Sequence, residues 1–335
     1  MSTIQFSIYI LIFLIALALA FGFMSGFHDA ANAIATVVST GVLKPHTAVA
    51  MASIFNFVAI FVFQLSVATT VGKDTIDPEI VDQYVVFGAL AGAIFWTILS
   101  WLFKIPSSSS HALIGGLIGA AVAKAGTGAL IASGLMKTIG FILLAPLLAF
   151  ILGSRMLLLI SWMLVRSTPR KVDKWFRRMQ LLSASMYSVG HGGNNAQKTM
   201  GVIWMLLIAA GVSTASDPLQ TWVIVSCYAA ISLGTLFGGW RVVKTMGQKL
   251  TKLKPVGGFC AESGGAITLF FSTALGIPVS TTHTMTGAVV GVGASQKMTA
   301  LRWSVVGNMV WAWVFTIPAS AFAAAIFWWI GTYLF

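Results

Sequence analysis

This chain has little charge and almost no acid. Of 335 residues, 8% are charged, with eight Asp and Glu in total against 20 Lys and Arg. A soluble domain carries about 25% charged residues, so an ordinary water-facing surface is excluded. Cysteine is nearly absent. Cys227 and Cys260 fall within or beside apolar runs, which excludes a disulfide framework, and neither spacing suits a metal site. Long polar stretches are missing too, leaving no room for a sizeable soluble domain. No basic segment or small-residue cleavage pattern accompanies the first apolar run, Ile4–Phe23, so it reads as a retained span.

What is present is apolar. Hydrophobic residues make up 58% of the chain and the mean hydropathy is +0.91. Runs such as Ala48–Val71, Val85–Phe103, Ile131–Val165, Thr221–Trp240 and Val305–Leu334 approach or exceed the roughly 20 residues of a membrane span. The net charge of +12 would suggest nucleic acid in a soluble protein. Here the basic residues collect in a few loops, as orientation in a bilayer requires. The expected partner is the lipid bilayer and not nucleic acid.

Loop charge gives a path. Arg166, Arg170, Lys171, Lys174, Arg177 and Arg178 mark one cytoplasmic loop, and Arg241, Lys244, Lys249, Lys252 and Lys254 another. Lys297 with Arg302, Lys44 and Lys104 fit the same side. The acidic loop 72–83 and the loop 211–220 fall outside. Segments 4–43, 46–71, 84–103, 107–123 and 130–164 then repeat, upside down, as 179–210, 221–243, 257–275, 278–294 and 303–334. The expectation is an all-α polytopic membrane protein with two inverted-topology repeats of about five passes each. The first repeat covers 1–165, a basic cytoplasmic linker covers 166–178, the second repeat covers 179–335, and both termini lie outside. Segment 4–43 is too long for one straight span and 107–123 and 278–294 are short, so broken or re-entrant helices are expected and 10 to 12 crossings result.

Two polar motifs are duplicated. Ile105–Ala120, IPSSSSHALIGGLIGA, returns as Ile277–Val292, IPVSTTHTMTGAVVGV. Ser108, Ser109, Ser110 and His111 align with Ser280, Thr281, Thr282 and His283. Pro106 and Pro278 read as starts of short helices capped by hydroxyls. Hydroxyls with free helix N–H groups can hold a tetrahedral oxyanion; one copy alone would be a capped helix, and duplication argues for a site. The second pair is GFHDAANAIAT from Gly26 and GGNNAQKTMGV from Gly192, at an offset of 166. It sets His28 over Asn194, Asp29 over Asn195 and Asn32 over Lys198. Glycine before each cluster predicts a helix break whose freed N–H groups suit an anion and whose carbonyls suit a cation. Acids in spans are functional by default, which singles out Asp29 and, in GFCAESGGAITLFF, Glu262. The bland alternatives are a capping Asp29, an interfacial Glu262, packing histidines at His28 and His191, and a snorkelling Lys198.

These four segments resemble the PiT family of inorganic phosphate transporters over nearly the whole chain. The resemblance implies symport of inorganic phosphate with H⁺ or Na⁺ across a bacterial inner membrane; some members are thought to carry a neutral metal–phosphate complex. No enzyme activity, cofactor or structural metal is expected, and a homo-oligomer stays open. Phosphate is expected at Ser108, Ser109, Ser110, Asn194, Ser280, Thr281, Thr282 and Lys198. Cation or proton coupling is expected at Asp29, Asn32, Asn195 and Glu262, with His28 and His191 as a proton relay. The chain departs from the family where Asn195 replaces an Asp. A lost carboxylate favours H⁺, and Asn195→Asp is expected to raise Na⁺ dependence. Two rivals remain: a passive anion channel, which Asp29 argues against, and an intramembrane Ser/His hydrolase. In the hydrolase reading Ser110 and His111 are adjacent and so do not face each other on a helix.

Overall fold

The computed structural model describes residues 7–103, 105, 107–238 and 252–335. Lys104, Pro106, Arg241, Lys244 and Lys249, used above for topology or helix starts, lie outside the described residues. Among those described there is no strand, only an isolated bridge between Ile76 and Leu130. The helices are α1 (Ile8–Ser39), α2 (Pro45–Val58), α3 (Ser66–Lys73), α4 (Gln83–Leu102), α5 (Ser109–Ala125) and α6 (Ala132–Met163). They continue as α7 (Pro169–Ala209), α8 (Thr221–Phe237), α9 (Pro255–Ala274), α10 (Thr281–Gln296) and α11 (Trp303–Leu334). Helices α1, α4, α6 and α11 are long and apolar enough to cross a membrane singly. A fifth span exists if α2 and α3, bent by 83°, count as one. Leu143, Leu147 and Leu158 on α6 and Trp311, Phe315 and Phe322 on α11 are exposed. That apolar outer face is stable only against lipid.

Several described elements of the two halves repeat. Adding 172 to the bounds of α4 gives α9, the same shift takes the start of α5 to that of α10, and 171 takes the start of α6 to that of α11. Packing is exchanged between halves: α5 lies on α11 and α10 lies on α6. The contacts match residue for residue. A Cβ on Gly119 would collide with the carbonyl of Ala321, and one on Gly291 with that of Phe150. Small residues let helices in lipid approach this closely.

The expected breaks at the first motif pair do not occur. Helix α1 runs unbroken through Gly26, and α7 runs 41 residues through Gly192. The glycines serve approach instead: a Cβ on Gly26 would collide with the Ile231 carbonyl and one on Gly192 with the Asn56 carbonyl. The interruptions fall elsewhere, before α5 and α10. Pro278 is not in the first turn of α10; it lies in the extended segment ahead of the Ser280 N-cap. The turn into that segment closes α9: Gly276, at φ +70°, lets the Ile277 N–H reach the Ser272 carbonyl. Most of the basic stretch 166–178 is also helical, as the first turns of α7.

Gly119→Ala and Gly291→Ala should each lower stability by about 1–3 kcal/mol through overpacking. Gly140, an exposed helical glycine with open space around its Cα, should gain roughly 0.5–1 kcal/mol as Ala. Thermal unfolding of the purified variants in detergent measures both. Equal midpoints for all three would remove the close helix crossing from the account.

Candidate substrate and ion site

A polar stripe runs along α1. Ser25, Asp29, Asn32 and Thr36 are spaced four, three and four residues apart, so they share one face. All four are buried. Asp29 is ten residues from Ser39, which puts it about 15 Å along the helix from that end, well inside α1. Helix α7 carries the matching stripe of Gln180, Ser183, Tyr187, His191, Asn195 and Lys198, also buried.

The loops before α5 and α10 bring the hydroxyl runs to these stripes. Ser108 and Ser280 are the N-caps; each side chain accepts from the N–H three residues on, in His111 and His283. The capping reading therefore holds for these two. The next two residues of each run reach the centre. Ser109 Oγ donates to Asp29 Oδ2 at 2.5 Å, and Thr282 Oγ1 faces Asp29 Oδ1 at 3.4 Å. Asn32 Nδ2 donates to Thr282 Oγ1 at 2.8 Å. Lys198 Nζ donates to Ser110 Oγ at 2.5 Å, to the Val279 carbonyl at 2.6 Å and to Asn195 Oδ1 at 2.7 Å. Asn195 Nδ2 reaches Thr281 Oγ1 at 3.3 Å. The two tips also touch each other: Ser110 Oγ donates to the Val279 carbonyl at 3.1 Å and Thr282 Oγ1 lies 3.5 Å from the Ser107 carbonyl. Thus Asp29, Asn32, Asn195, Lys198, Ser109, Ser110, Thr281 and Thr282 form one buried centre. The first N–H groups of α5 and α10 have no intrahelical acceptor, and both helix starts lie at this centre.

Asn194 stands behind it. Its amide donates to Thr273 Oγ1 and the Ile277 carbonyl and accepts from the Val279 N–H at 3.1 Å, which fixes the extended segment. His28 Nδ1 lies 3.1 Å from Asp29 Oδ1. His191 lies between Asn56 Oδ1 and Asn195 Nδ2, each at 3.1 Å. The Asn195 amide donates there, so His191 Nε2 accepts and Nδ1 carries the hydrogen. Glu262 is not part of the centre. It accepts from Thr36 (2.6 Å), Ser183 (2.5 Å) and Gln180 (3.0 Å) in a second buried cluster that ties α1, α7 and α9 together. At the contact between the tips, His111 and His283 meet edge to face at 4.2 Å, and His283 stacks on Trp313 at 3.8 Å.

Sequence reasoning missed Ser25, Thr36, Gln180, Ser183 and Ser107. The first two were readable from the helical spacing on α1. Gln180 and Ser183 lie 82 and 79 residues from Glu262, and no local pattern joins them.

The fold and this centre define a polytopic α-helical membrane protein with a polar interior built from two repeated hairpins. A profile of the phosphate transporter family matches residues 25–324, and the chain belongs to that family. A Rhizobium meliloti protein named "Probable low-affinity inorganic phosphate transporter" is 56% identical over 317 residues, covering 95% of each chain. A Bacillus subtilis protein of the same name is 43% identical over 326 residues, 97% of this chain and 98% of that one. A solved structure titled "The sodium-dependent phosphate transporter" superposes with a TM-score of 0.90, covering 98% of this chain and all of that one. At 23% identity it shows the fold alone. The chain is a multi-pass membrane transporter and not an enzyme, which removes the Ser/His hydrolase.

The division of labour within the hydroxyl runs can be measured. Ser280→Ala should cost about 1 kcal/mol of stability, the usual worth of a lost N-cap, while Thr281→Ala should leave stability nearly unchanged. Unfolding midpoints of the two variants give the comparison, and the reverse order would mean that Ser280 is not the cap.

Proposed function

We propose that this chain imports inorganic phosphate by symport with H⁺ or Na⁺, by alternating access to the centre between the hairpin tips. The observation that carries the reading is the convergence of both tips, one from each half, on Asp29 and Lys198. An anion in this centre would meet the hydroxyls of Ser109, Ser110, Thr281 and Thr282 and the free N–H groups of two helix starts. Ser108, Ser280 and Asn194 hold the tips in place. The coupling cation belongs with Asp29, whose Oδ1 lies beside Thr282 Oγ1, which in turn faces the Ser107 carbonyl. Asn32 holds Thr282 in that position, and Asn195 does the corresponding work for the second tip. His28 offers a proton path to Asp29, and His191, whose two nitrogens are both engaged, keeps Asn195 oriented. Glu262 is a second carboxyl on the route from the centre along α1.

The halves 1–165 and 179–335, joined through 166–178, are taken to be inverted in the plasma membrane, the inner membrane of a bacterium, with both termini outside. The exchanged packing of α5 on α11 and α10 on α6 supports this. If both hairpins crossed fully, an inverted arrangement would put their tips on opposite faces, some 30 Å apart. Their contact requires that both be re-entrant. A channel would pass phosphate only downhill. A carboxylate bonded to one of the anion-binding hydroxyls disfavours phosphate beside it, and a cation or proton held on Asp29 itself removes that local repulsion, which favours symport. The single acid favours H⁺.

Radioactive phosphate uptake into proteoliposomes, with pH and Na⁺ gradients imposed separately, tests the reading. Uptake against a gradient that an ionophore collapses is expected, and strictly downhill movement would make the protein a channel. Asp29→Asn should lose concentrative uptake. Ser109→Ala and Thr281→Ala should each weaken apparent phosphate affinity by about 10- to 150-fold, the equivalent of one hydrogen bond to a charged group worth about 1.5–3 kcal/mol. Unchanged affinity in both would return these hydroxyls to helix capping.

A further inference from the structure

Several contacts at the centre come in exchanged pairs, and the pairs differ in charge. Asp29 meets Ser109 and its counterpart Asn195 meets Thr281. Asn32 meets Thr282 and its counterpart Lys198 meets Ser110. Thr282 faces the Ser107 carbonyl and its counterpart Ser110 faces that of Val279. Two matching sets of three oxygens result, each drawn from both halves of the chain. In the first they are Asp29 Oδ1, Thr282 Oγ1 and the Ser107 carbonyl. In the second they are Asn195 Oδ1, Ser110 Oγ and the Val279 carbonyl. Only the second trio surrounds a lysine nitrogen, that of Lys198; in the first, His28 Nδ1 lies 3.1 Å from Asp29 Oδ1.

The hydrogen bonds around the Lys198 nitrogen suit an ammonium. The Val279 carbonyl is an acceptor only. Asn195 Oδ1 is an acceptor because its amide nitrogen faces His191 Nε2 and Thr281. Ser110 directs its own hydrogen to Val279. Three acceptors around one nitrogen use three N–H donors, which an ammonium has and a neutral amine lacks. No donor is left for a direct bond to phosphate. The three oxygens are neutral and the lysine is 3% exposed, so no carboxylate is bonded to the nitrogen, and Asp29 acts on it only from across the centre. Bare neutral oxygens around a compact cation are the ligand set that an alkali ion takes from backbone carbonyls and hydroxyls.

We infer that the Lys198 ammonium is a resident cation, occupying in the second half the position that a mobile coupling ion takes beside Asp29 in the first, so that the central site loads one ion fewer than its two-fold design has places for. The inference rests on the symport reading above. It also revises the expectation for Asn195. An acid at 195 would lie beside the Lys198 ammonium, which is 2.7 Å from the present Oδ1, and would pair with it internally. Asn195→Asp alone should therefore recruit no further ion. The lysine must leave as well.

The test uses the full chain in proteoliposomes, in metal-chelated buffer, with the membrane potential clamped by a potassium gradient and valinomycin. Wild-type uptake is measured first; its failure would sink the symport reading and leave the present question to be settled by ²²Na⁺ binding to the same variants in detergent. The double variant Lys198→Asn, Asn195→Asp should move one more positive charge per phosphate than wild type. Its accumulation ratio should then gain an extra tenfold per roughly 59 mV of inside-negative potential, while Asn195→Asp alone, whatever its rate, should keep the wild-type charge per phosphate. A double variant that transports with wild-type charge movement would overturn the inference. Should it fail to fold, Lys198→Ala supplies the second measurement. It empties the trio while leaving its oxygens, and lost uptake should return with Na⁺ or methylammonium at millimolar concentration. A folded Lys198→Ala protein that neither ion restores would assign Lys198 to packing. In the binding assay the double variant should hold one more Na⁺ than wild type, and equal numbers would count against the inference.

Discussion

One carboxylate and one ammonium are buried in the same centre of a chain that has almost no other charge inside it. In lipid every such group must find its partners within the protein, because an unsatisfied one costs several kcal/mol. Neither α1 nor α7 can supply those partners alone, since an unbroken helix has no free backbone N–H or carbonyl in its middle. The partners arrive on two hairpin tips, one from each half. The glycines that let α5 lie on α11 and α10 on α6 are what allow the tips to reach far enough. Close helix crossing and site chemistry are thus one requirement.

The two-fold relation explains why the tips can meet and why the meeting is not symmetric. Equivalent residues approach each other at the crossing, where the rings of His111 and His283 touch. Away from it, equivalent positions have diverged: Asp29 against Asn195 and Asn32 against Lys198. The first half carries a negative charge and the second a positive one. Their proximity lets each charge offset part of the burial cost of the other, which neither amide counterpart could do.

Much of this was legible in the sequence. The duplicated hydroxyl runs marked the hairpin tips, and Asp29, Asn195 and Lys198 were visible as polar residues in apolar segments. The course of α1 and α7 was not. Glycine has a local tendency to end helices, but Gly26 and Gly192 meet the backbones of α8 and α2, and tertiary contact overrides propensity. The reading of the hydroxyl runs as single units was too coarse as well. Capping takes the first residue of each, and only the next two face the centre, a distinction set by where the helix starts. Asn194 was expected among the phosphate contacts from the family resemblance; that its amide also clamps the segment ahead of α10 could not be read, because those partners lie 79 to 85 residues away. The Glu262 cluster was out of reach because its members come from three helices that no local spacing connects.

That cluster shows where the repeat stops being a repeat. At the same offsets, the counterparts of Thr36, Gln180, Ser183 and Glu262 are Val202, Leu14, Leu17 and Leu90. All four are apolar; Leu14, Leu90 and Val202 are fully buried and Leu17 packs against them. Where the polar group stands, a buried carboxyl has hydroxyl and amide partners. Where its counterpart stands, a charged group would meet only hydrocarbon, and burying it there unpaired would cost several kcal/mol. The asymmetry that begins with Asp29 and Lys198 therefore extends outward along α1 and α7: the repeat keeps its helices and changes what its interior can hold.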